Sequence, residues 1–343
     1  MKRLSKILLA LAVVVLLGGF SFWYVMGCEG RWDGRPLEDS VSAEAAALEQ
    51  ALLDDVSFLS RTLGPRNALH KAALDEAAQW IEARWKTQGY RVDRHSFDWE
   101  GQEFVNLGIE IPGDRHPSEI VLLSAQYDTH PDSPGANNNA SGMAVLLALS
   151  ELLQGQRLDR TLRLVAFTNQ SPPFSETPAM GSLRYAENAR EAGEDIRVML
   201  SMDAIGYYKQ EPGTQNLPWP FALFYPDRGN FLAFIGDLRT RARVVEATRG
   251  FKKASYFPIE AAAVPRWVKG ARWSDHGSFW DYGYPAIQVT DTGPFRSPYH
   301  RSSKDTLEKL DFRALARITL GMYGAMLELT TDEGLDPGAG LER

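Results

Sequence analysis

The sequence is poor in cysteine and has no excess of positive charge. Cys28 is the only cysteine among 343 residues, so no disulfide can form within the chain, and a packed core must supply its stability. The formal net charge of -7 leaves no basic surface for a phosphate backbone, which argues against nucleic acid as a partner. Internal repeats and low-complexity tracts are also missing. The apolar fraction of 44% is ordinary for a globular protein.

The longest apolar run lies at the N-terminus. Three basic residues precede an uncharged run over residues 7–27, ILLALAVVVLLGGFSFWYVMG. About 20 apolar residues span a bilayer, whereas the core of a cleaved signal holds about 7 to 15. The sequence therefore predicts a single-pass helix within residues 1–28, in the inner membrane, with the rest of the chain on the extracytoplasmic side. A cleaved signal, or lipidation of Cys28, is the alternative.

The remainder of the chain is predicted to form one large domain. Residues 29–42 have the composition of a polar linker and residues 332–343 that of a flexible tail, which leaves 43–331 for the domain. Residues 206–264, rich in proline and aromatic residues, are expected to form a lid or rim beside it.

Helical periodicity and short apolar runs alternate along this domain. The pattern predicts a three-layer αβα domain with a mostly parallel mixed sheet and an antiparallel edge. The predicted helices cover residues 42–59, 67–88, 142–153, 180–192 and 312–329, and the predicted strands 90–99, 103–111, 120–125, 161–167, 196–202 and 285–290.

Polar side chains follow four of the predicted strands. Gln126 and Asp128 come after the first apolar strand, residues 169–171 after the second, Asp203 after the third and residues 291–300 after the last. Because ligand sites of open α/β sheets lie beyond the carboxyl ends of the strands, we expect these groups to converge. The site would carry amides where a metal centre carries acids and histidines.

The residues and the order of these segments resemble those of a known family. The motifs are QYDTHPDSPGANNNASG, AFTNQSPPFSETPAMGS, LSMDAIGYY, WSDHGSFWDYGYPAIQVTDT and YHRSSKDT, spread over about residues 67–329. They resemble the zinc-dependent aminopeptidases with two adjacent metal ions, the leucyl-aminopeptidase-like zinc exopeptidases, whose relatives include glutaminyl cyclases and transferrin-receptor-like proteins. The resemblance implies a zinc-exopeptidase-like (phosphorylase/hydrolase-like) fold.

The resemblance also implies which residues would form the active site, and most of them differ here from the family pattern. Asp203 and His300 match surviving metal ligands. The substituted ligand positions are Gln126 for a histidine, Asn138 for the bridging aspartate and Ser171 for a glutamate; Gln170 stands at the position of the general-base glutamate, and Asp128 at that of the aspartate that orients a ligand.

These substitutions predict a loss of both metal and chemistry. If each ligand contributes about 3 kcal/mol, a position that keeps one ligand binds zinc at roughly millimolar strength at best. Gln170 carries a neutral amide, which cannot accept a proton from a metal-bound water. Amides in place of acids also remove the repulsion that buried carboxylates would suffer without a metal. We therefore expect no cofactor.

The resulting expectation is a catalytically inactive, membrane-anchored pseudopeptidase that binds a peptide or a protein. The alternative is an active aminopeptidase with one or two zinc ions, including a mononuclear site built from Asp203, His300 and His276 on the rim of the pocket. A third reading is a serine hydrolase, in which Ser171 would lie within hydrogen-bonding reach of His300. The remaining histidines at 70, 95 and 116 are predicted to lie on the surface.

Overall fold

The computed structural model describes residues 43–268 and 270–333, together with the isolated positions 6, 13, 16, 18 and 19. Within these residues no helix is both long and apolar enough to cross a membrane. The anchor or signal predicted within residues 1–28 and the linker at 29–42 lie outside the described residues, those isolated positions excepted, as does the tail beyond residue 333.

Helices and strands alternate along the described part of the chain. The helices are α1 Ala43–Ser57, α2 Lys71–Thr87, α3 Gly142–Leu152, α4 Gly181–Glu191, α5 Arg241–Ala254, α6 His276–Asp281 and α7 Phe312–Thr330. The strands are β1 Asp93–Trp99, β2 Gln102–Ile111, β3 His116–Gln126, β4 Arg160–Phe167, β5 Asp195–Met202, β6 Leu232–Asp237, β7 Ile259–Val264 and β8 Ala286–Thr290.

The strands form one eight-stranded mixed sheet in the order β1-β2-β4-β3-β5-β8-β6-β7. Its centre is parallel, because β3 pairs in parallel with both β4 and β5, and β5 pairs in parallel with β8. The hairpin of β1 and β2 forms an antiparallel edge, and β2 also pairs antiparallel with β4. The predicted mixed sheet with an antiparallel edge is confirmed.

Helices cover both faces of the sheet. Side chains alternate along β3, so that Val121 and Leu123 pack into one core while Ile120 and Leu122 pack into the other. The larger core also contains buried side chains of α1, α2, α3, α5 and α7, and the smaller one those of α4 and α6. The arrangement is the three-layer αβα architecture expected from the sequence.

The prediction for residues 206–264 is wrong in its second half. Residues 232–264 do not form a lid; they supply β6, α5 and β7, which extend the main sheet beyond β8. The apolar runs LAFIGD and IEAAAV are short enough to be buried strands, and the prolines and aromatic residues that suggested a rim lie mostly before them. Irregular chain, with one short 3-10 turn at Phe221–Leu223, is confined to residues 206–231.

Candidate functional site

The predicted polar groups meet at the carboxyl end of the parallel strands. Gln126 ends β3, Asp203 follows β5, and the asparagine loop, which we define as residues 136–141, lies between β3 and α3. Hydrogen bonds join the asparagine loop to the loops after β5 and β8. The expected convergence is therefore confirmed.

Asp203 is surrounded by amides. Its Oδ1 accepts hydrogen bonds from Gln126 Nε2 at 3.2 Å and from Asn138 Nδ2 at 3.0 Å. Gln126 in turn accepts at Oε1 from Asn139 Nδ2, at 2.8 Å. Burial raises the pKa of Asp203, while the positive charge of Arg301 and the hydrogen bond from Gln126 act in the opposite direction. The two amide N–H groups thus stabilise the carboxylate of Asp203, as a bound cation would in a metal centre.

Asp128 holds the loop that follows β4. Its two carboxylate oxygens accept the backbone N–H groups of Gln170, at 3.0 Å, and of Ser171, at 2.8 Å. Burial raises the pKa of Asp128 to about 6, and these hydrogen bonds lower it. The side chain of Gln170 joins this network to the next loop: its Oε1 accepts a hydrogen bond from Gln126 Nε2 at 3.4 Å, and its Nε2 donates to the carbonyl of Trp273 at 2.9 Å. Both residues in the general-base and glutamate-ligand positions are buried.

Two alternatives drawn from the sequence do not match the contacts. Among the described residues, no hydrogen bond joins Ser171 to His300, whose Nδ1 has no partner at all. His276 does not line the rim as predicted. It is fully buried at the start of α6, where a ring nitrogen contacts the Ala271 carbonyl at 2.7 Å, and burial lowers its pKa to about 4.

The residues present do not fit a zinc ion. Within the part of the chain that the structure describes, no group of three or more histidine, cysteine, aspartate or glutamate side chains could hold a metal. The amide N–H groups of Gln126 and Asn138 also point at Asp203 Oδ1, so their positive ends occupy the side from which a cation would approach. Among the described residues no hydrogen bond joins Asp203 to His300, the two predicted surviving ligands.

Three further residues complete the network: Asn137, Asp291, which belongs to the predicted polar group 291–300, and Asp305, which the sequence did not single out. Asn137 Nδ2 donates to Asp291 at 2.8 Å, and Asn137 Oδ1 accepts the Gly206 N–H at 2.7 Å. Asp305 accepts the backbone N–H groups of Asn137 and Asn138 at 2.8 and 3.0 Å. The signal that could have found Asp305 is its place in the motif YHRSSKDT, five residues after the predicted site residue His300.

The surface predictions for the other histidines agree with the structure. His70 and His95 are exposed, and His116 is partly exposed and pairs with Asp332.

A cavity of about 410 Å³ opens beside this network. Its floor is the face of β8, β6 and β7 that carries Thr290, Ala233 and Ala262. Aromatic and aliphatic side chains from residues 217–225 and 268–273 form its walls, and Asp203, His300 and Arg301 lie along it. The arrangement can bind a molecule with an apolar part against the sheet and a polar group against the network.

Comparisons with known proteins agree with this architecture. The family model of peptidase family M28 matches residues 106–326. The uncharacterized protein YfbL of Escherichia coli (strain K12) is 30% identical over 287 residues, covering 80% of this chain and 87% of YfbL. A probable zinc metalloprotease of Leptosphaeria maculans is 23% identical over 321 residues, covering 80% and 71% of the two chains.

Solved structures share the fold at low sequence identity. A zinc aminopeptidase from Bacillus subtilis, BSAP, superimposes with a TM-score of 0.65 at 14% identity, covering 86% of this chain and 98% of BSAP. A Fimbriiglobus ruber glutaminyl cyclase gives a TM-score of 0.61 at 18% identity, covering 85% and 98%. The fold of the described domain is thus that of both kinds of enzyme.

Proposed function

The chain belongs to peptidase family M28, and from that premise we propose that it is a non-catalytic member that binds a peptide or a protein segment in the cavity beside the former active site. Its relatives include proteins described as zinc metalloproteases and aminopeptidases. Under this proposal, the chain binds a peptide in a cleft, as a peptidase would, but does not hydrolyse it.

One observation carries the proposal: Asp203 Oδ1 is hydrogen-bonded by two neutral amides, Gln126 and Asn138. A carboxylate that already accepts two N–H groups has little left to offer a cation, and a cation would meet the positive ends of both amides. Gln170 supports the same conclusion, because an amide cannot serve as the general base that hydrolysis needs. The cavity, by contrast, is large enough to receive a side chain.

Metal content and hydrolysis test this proposal together. We expect the purified chain, incubated with zinc and desalted, to retain far less than one equivalent by mass spectrometry, and to leave a panel of peptides with free amino ends uncleaved. About one equivalent of zinc, together with cleavage that His300→Ala abolishes, would instead establish the active aminopeptidase with a remodelled site.

A restoring variant sharpens the test. It combines Gln126→His, Asn138→Asp, Gln170→Glu and Ser171→Glu, which returns to the site the residue types that the family resemblance implies. If the backbone is otherwise intact, this variant should bind zinc in stoichiometric amounts. Failure of the wild type and success of the variant would assign the loss of metal to these side chains alone.

We also propose that residues 1–28 anchor the chain in the inner membrane and leave the domain on the extracytoplasmic side. The support is the uncharged run over residues 7–27 behind three basic residues. The full chain should sediment with membranes and be digested by protease added to the outer side, while a chain that starts at residue 43 should stay in solution. A full chain recovered in the soluble fraction would refute the anchor.

A further inference from the structure

Several buried nitrogens beside the cavity have no hydrogen-bond partner among the described residues. They are Nδ1 of His130, Nδ1 of His300 and Nε of Arg301. His300 and Arg301 line the cavity, and His130 is close enough for its charge to act on His300. Buried polar groups in native proteins nearly always have partners, so a cluster of such nitrogens calls for an explanation.

Arg301 differs from three other arginines that are withdrawn from solvent, Arg66, Arg163 and Arg266. Arg66 is fully buried and its guanidinium donates to the carbonyls of Tyr127, Leu59 and Pro134. Arg163 pairs with two glutamates and Arg266 with Asp237. Arg301, by comparison, forms no ion pair with any described carboxylate, and its φ of 56° lies in the left-handed region, where a non-glycine residue is uncommon.

The nearby carboxylate does not use this cation. Asp203 feels the charge of Arg301, but its hydrogen bonds come from Gln126 and Asn138. Asp203 therefore accepts hydrogen bonds from protein donors, whereas Arg301 has N–H groups available for a ligand. A guanidinium has five N–H groups in a planar fork that matches the two oxygens of a carboxylate.

The floor of the cavity separates the end that holds Arg301 from the end that holds Glu260. Register pairs Thr290 with Ala233 and Ala233 with Glu260, so these three side chains lie in one row across the sheet face. With neighbouring strands about 4.8 Å apart, Glu260 lies about 14 Å along the sheet from the strand that ends at Asp203. Between them, Ala233 and Ala262 leave space above the sheet that longer side chains would fill.

We propose that the cavity binds the carboxyl end of a peptide, with the terminal carboxylate paired to Arg301 and an apolar C-terminal side chain lying over Ala233 and Ala262. This inference rests on the proposed function and names its ligand. An apolar residue carries its α-carboxylate and its side chain on the same carbon, which suits a cation placed at the edge of an apolar cavity. A free amino end at the same position would face Arg301 and be repelled by it.

Three matched peptides test the assignment on the full chain by isothermal titration calorimetry: Ala-Ala-Phe, its C-terminal amide and its N-acetyl form. The protein variants are Arg301→Gln, which removes the charge, Arg301→Lys, which keeps it, and Arg239→Gln as a control at an exposed arginine outside the cavity. Thermal unfolding of each variant shows whether it is folded.

The free acid should bind about 10- to 100-fold more tightly than the amide, as expected for losing a charge-assisted bond. N-acetylation should change nothing. Arg301→Gln should bind the acid as weakly as the wild type binds the amide, Arg301→Lys should keep part of the preference, and Arg239→Gln should behave as wild type.

Equal affinity for acid and amide, a preference that survives in Arg301→Gln, loss of binding on N-acetylation, or no binding to any of the three peptides would each overturn the inference. Failure of the proposed function gives a different result, namely cleavage of the peptides from their amino ends or stoichiometric zinc, both measured on the same samples. Peptide bound intact but without preference for the acid would overturn this inference and leave the proposed function standing.

Discussion

The asparagine loop and the turn at residues 300–301 differ in whether their buried polar groups have hydrogen-bond partners. In the asparagine loop, the amides of Asn137, Asn138 and Asn139 donate to carboxylates and to a neighbouring amide and carbonyl. In the turn, His300 Nδ1 and Arg301 Nε are buried and have no hydrogen-bond partner within the part of the chain that the structure describes. Both segments act on Asp203, the first through a hydrogen bond from Asn138 and the second through the charge of Arg301.

This difference separates groups that serve the fold from groups that are left for a ligand. The amides of the asparagine loop have hydrogen-bond partners within the fold, so each contributes to the free energy of folding. Buried donors without partners lower the stability of the fold, and a partner from outside the chain is one explanation for them. Replacing residues in the two segments should therefore have very different effects on stability.

The largest effect is expected for Asn139→Ala. Asn139 is fully buried; its Nδ2 donates to Gln126 Oε1 and to the Met202 carbonyl, and its Oδ1 accepts the Ala204 N–H. Removing it leaves three buried groups without partners, and we expect a loss of about 4 kcal/mol in the free energy of unfolding. Urea denaturation measures it. The control Asn188→Ala, at an exposed position of α4, should change stability by less than about 0.5 kcal/mol.

A second test uses pH at the other end of the asparagine loop. Burial raises the pKa of Asp305 from 3.8 to about 6, against the opposing effect of the backbone N–H groups it accepts. The folded state thus keeps a proton that the unfolded state releases, and stability falls as pH rises from about 4 to above 6. Relative to Asp305→Asn, the wild type should lose up to about 3 kcal/mol over this range.

Denaturation midpoints at several pH values check this slope. Asp98→Asn, at an exposed position of β1, serves as the control for removing an acid outside the site. A difference between wild type and Asp305→Asn that does not change with pH would show that the carboxyl of Asp305 ionises normally in the fold.

Asn138→Asp should destabilise the chain by a smaller amount. The change places a carboxylate oxygen about where Asn138 Nδ2 now lies, 3.0 Å from Asp203 Oδ1. Two buried like charges repel, so we expect a loss of about 2 kcal/mol at pH 8 in the presence of a chelator, and a smaller loss at pH 5, where one carboxyl takes up a proton. Unchanged stability at pH 8 would mean that the site tolerates paired acids without a metal.

Arg301→Gln should have the smallest effect. Because Arg301 makes no ion pair among the described residues, removing its charge should change stability by less than about 0.5 kcal/mol. The same substitution at Arg66, whose guanidinium donates to several buried carbonyls, should cost about 3 kcal/mol or more. Comparable losses at the two arginines would contradict the distinction between the two segments.

The sequence predicted most of the sheet because its central strands are short apolar runs. Runs such as residues 120–125 and 196–202 lie inside β3 and β5, and the helix predicted at 142–153 matches α3 within one residue. The strands β6 and β7 were missed because their runs of six residues, partly alanine and glycine, fall next to a segment with many prolines and aromatic residues. Their local composition does not indicate strands; β6 is a strand because it pairs with β8, and β7 because it pairs with β6.

The site was predictable in its members but not in its contacts. Position after a strand was enough to place Gln126, Asp128 and Asp203 together. It could not show that Asp128 accepts backbone N–H groups, or that Ser171 lacks a bond to His300, because these depend on loop paths that side-chain identity does not fix. His276 was misplaced for a similar reason, since the short helix α6 turns it into the interior.

Asp305 has one more consequence for how a ligand would be received. It lies four residues after Arg301, and it accepts two backbone N–H groups of the asparagine loop. These hydrogen bonds hold the segment that contains Arg301 against the asparagine loop. A preorganised binding site loses little conformational entropy when the ligand binds. We therefore expect selectivity to come from the fixed position of Arg301 rather than from a closing movement of the protein.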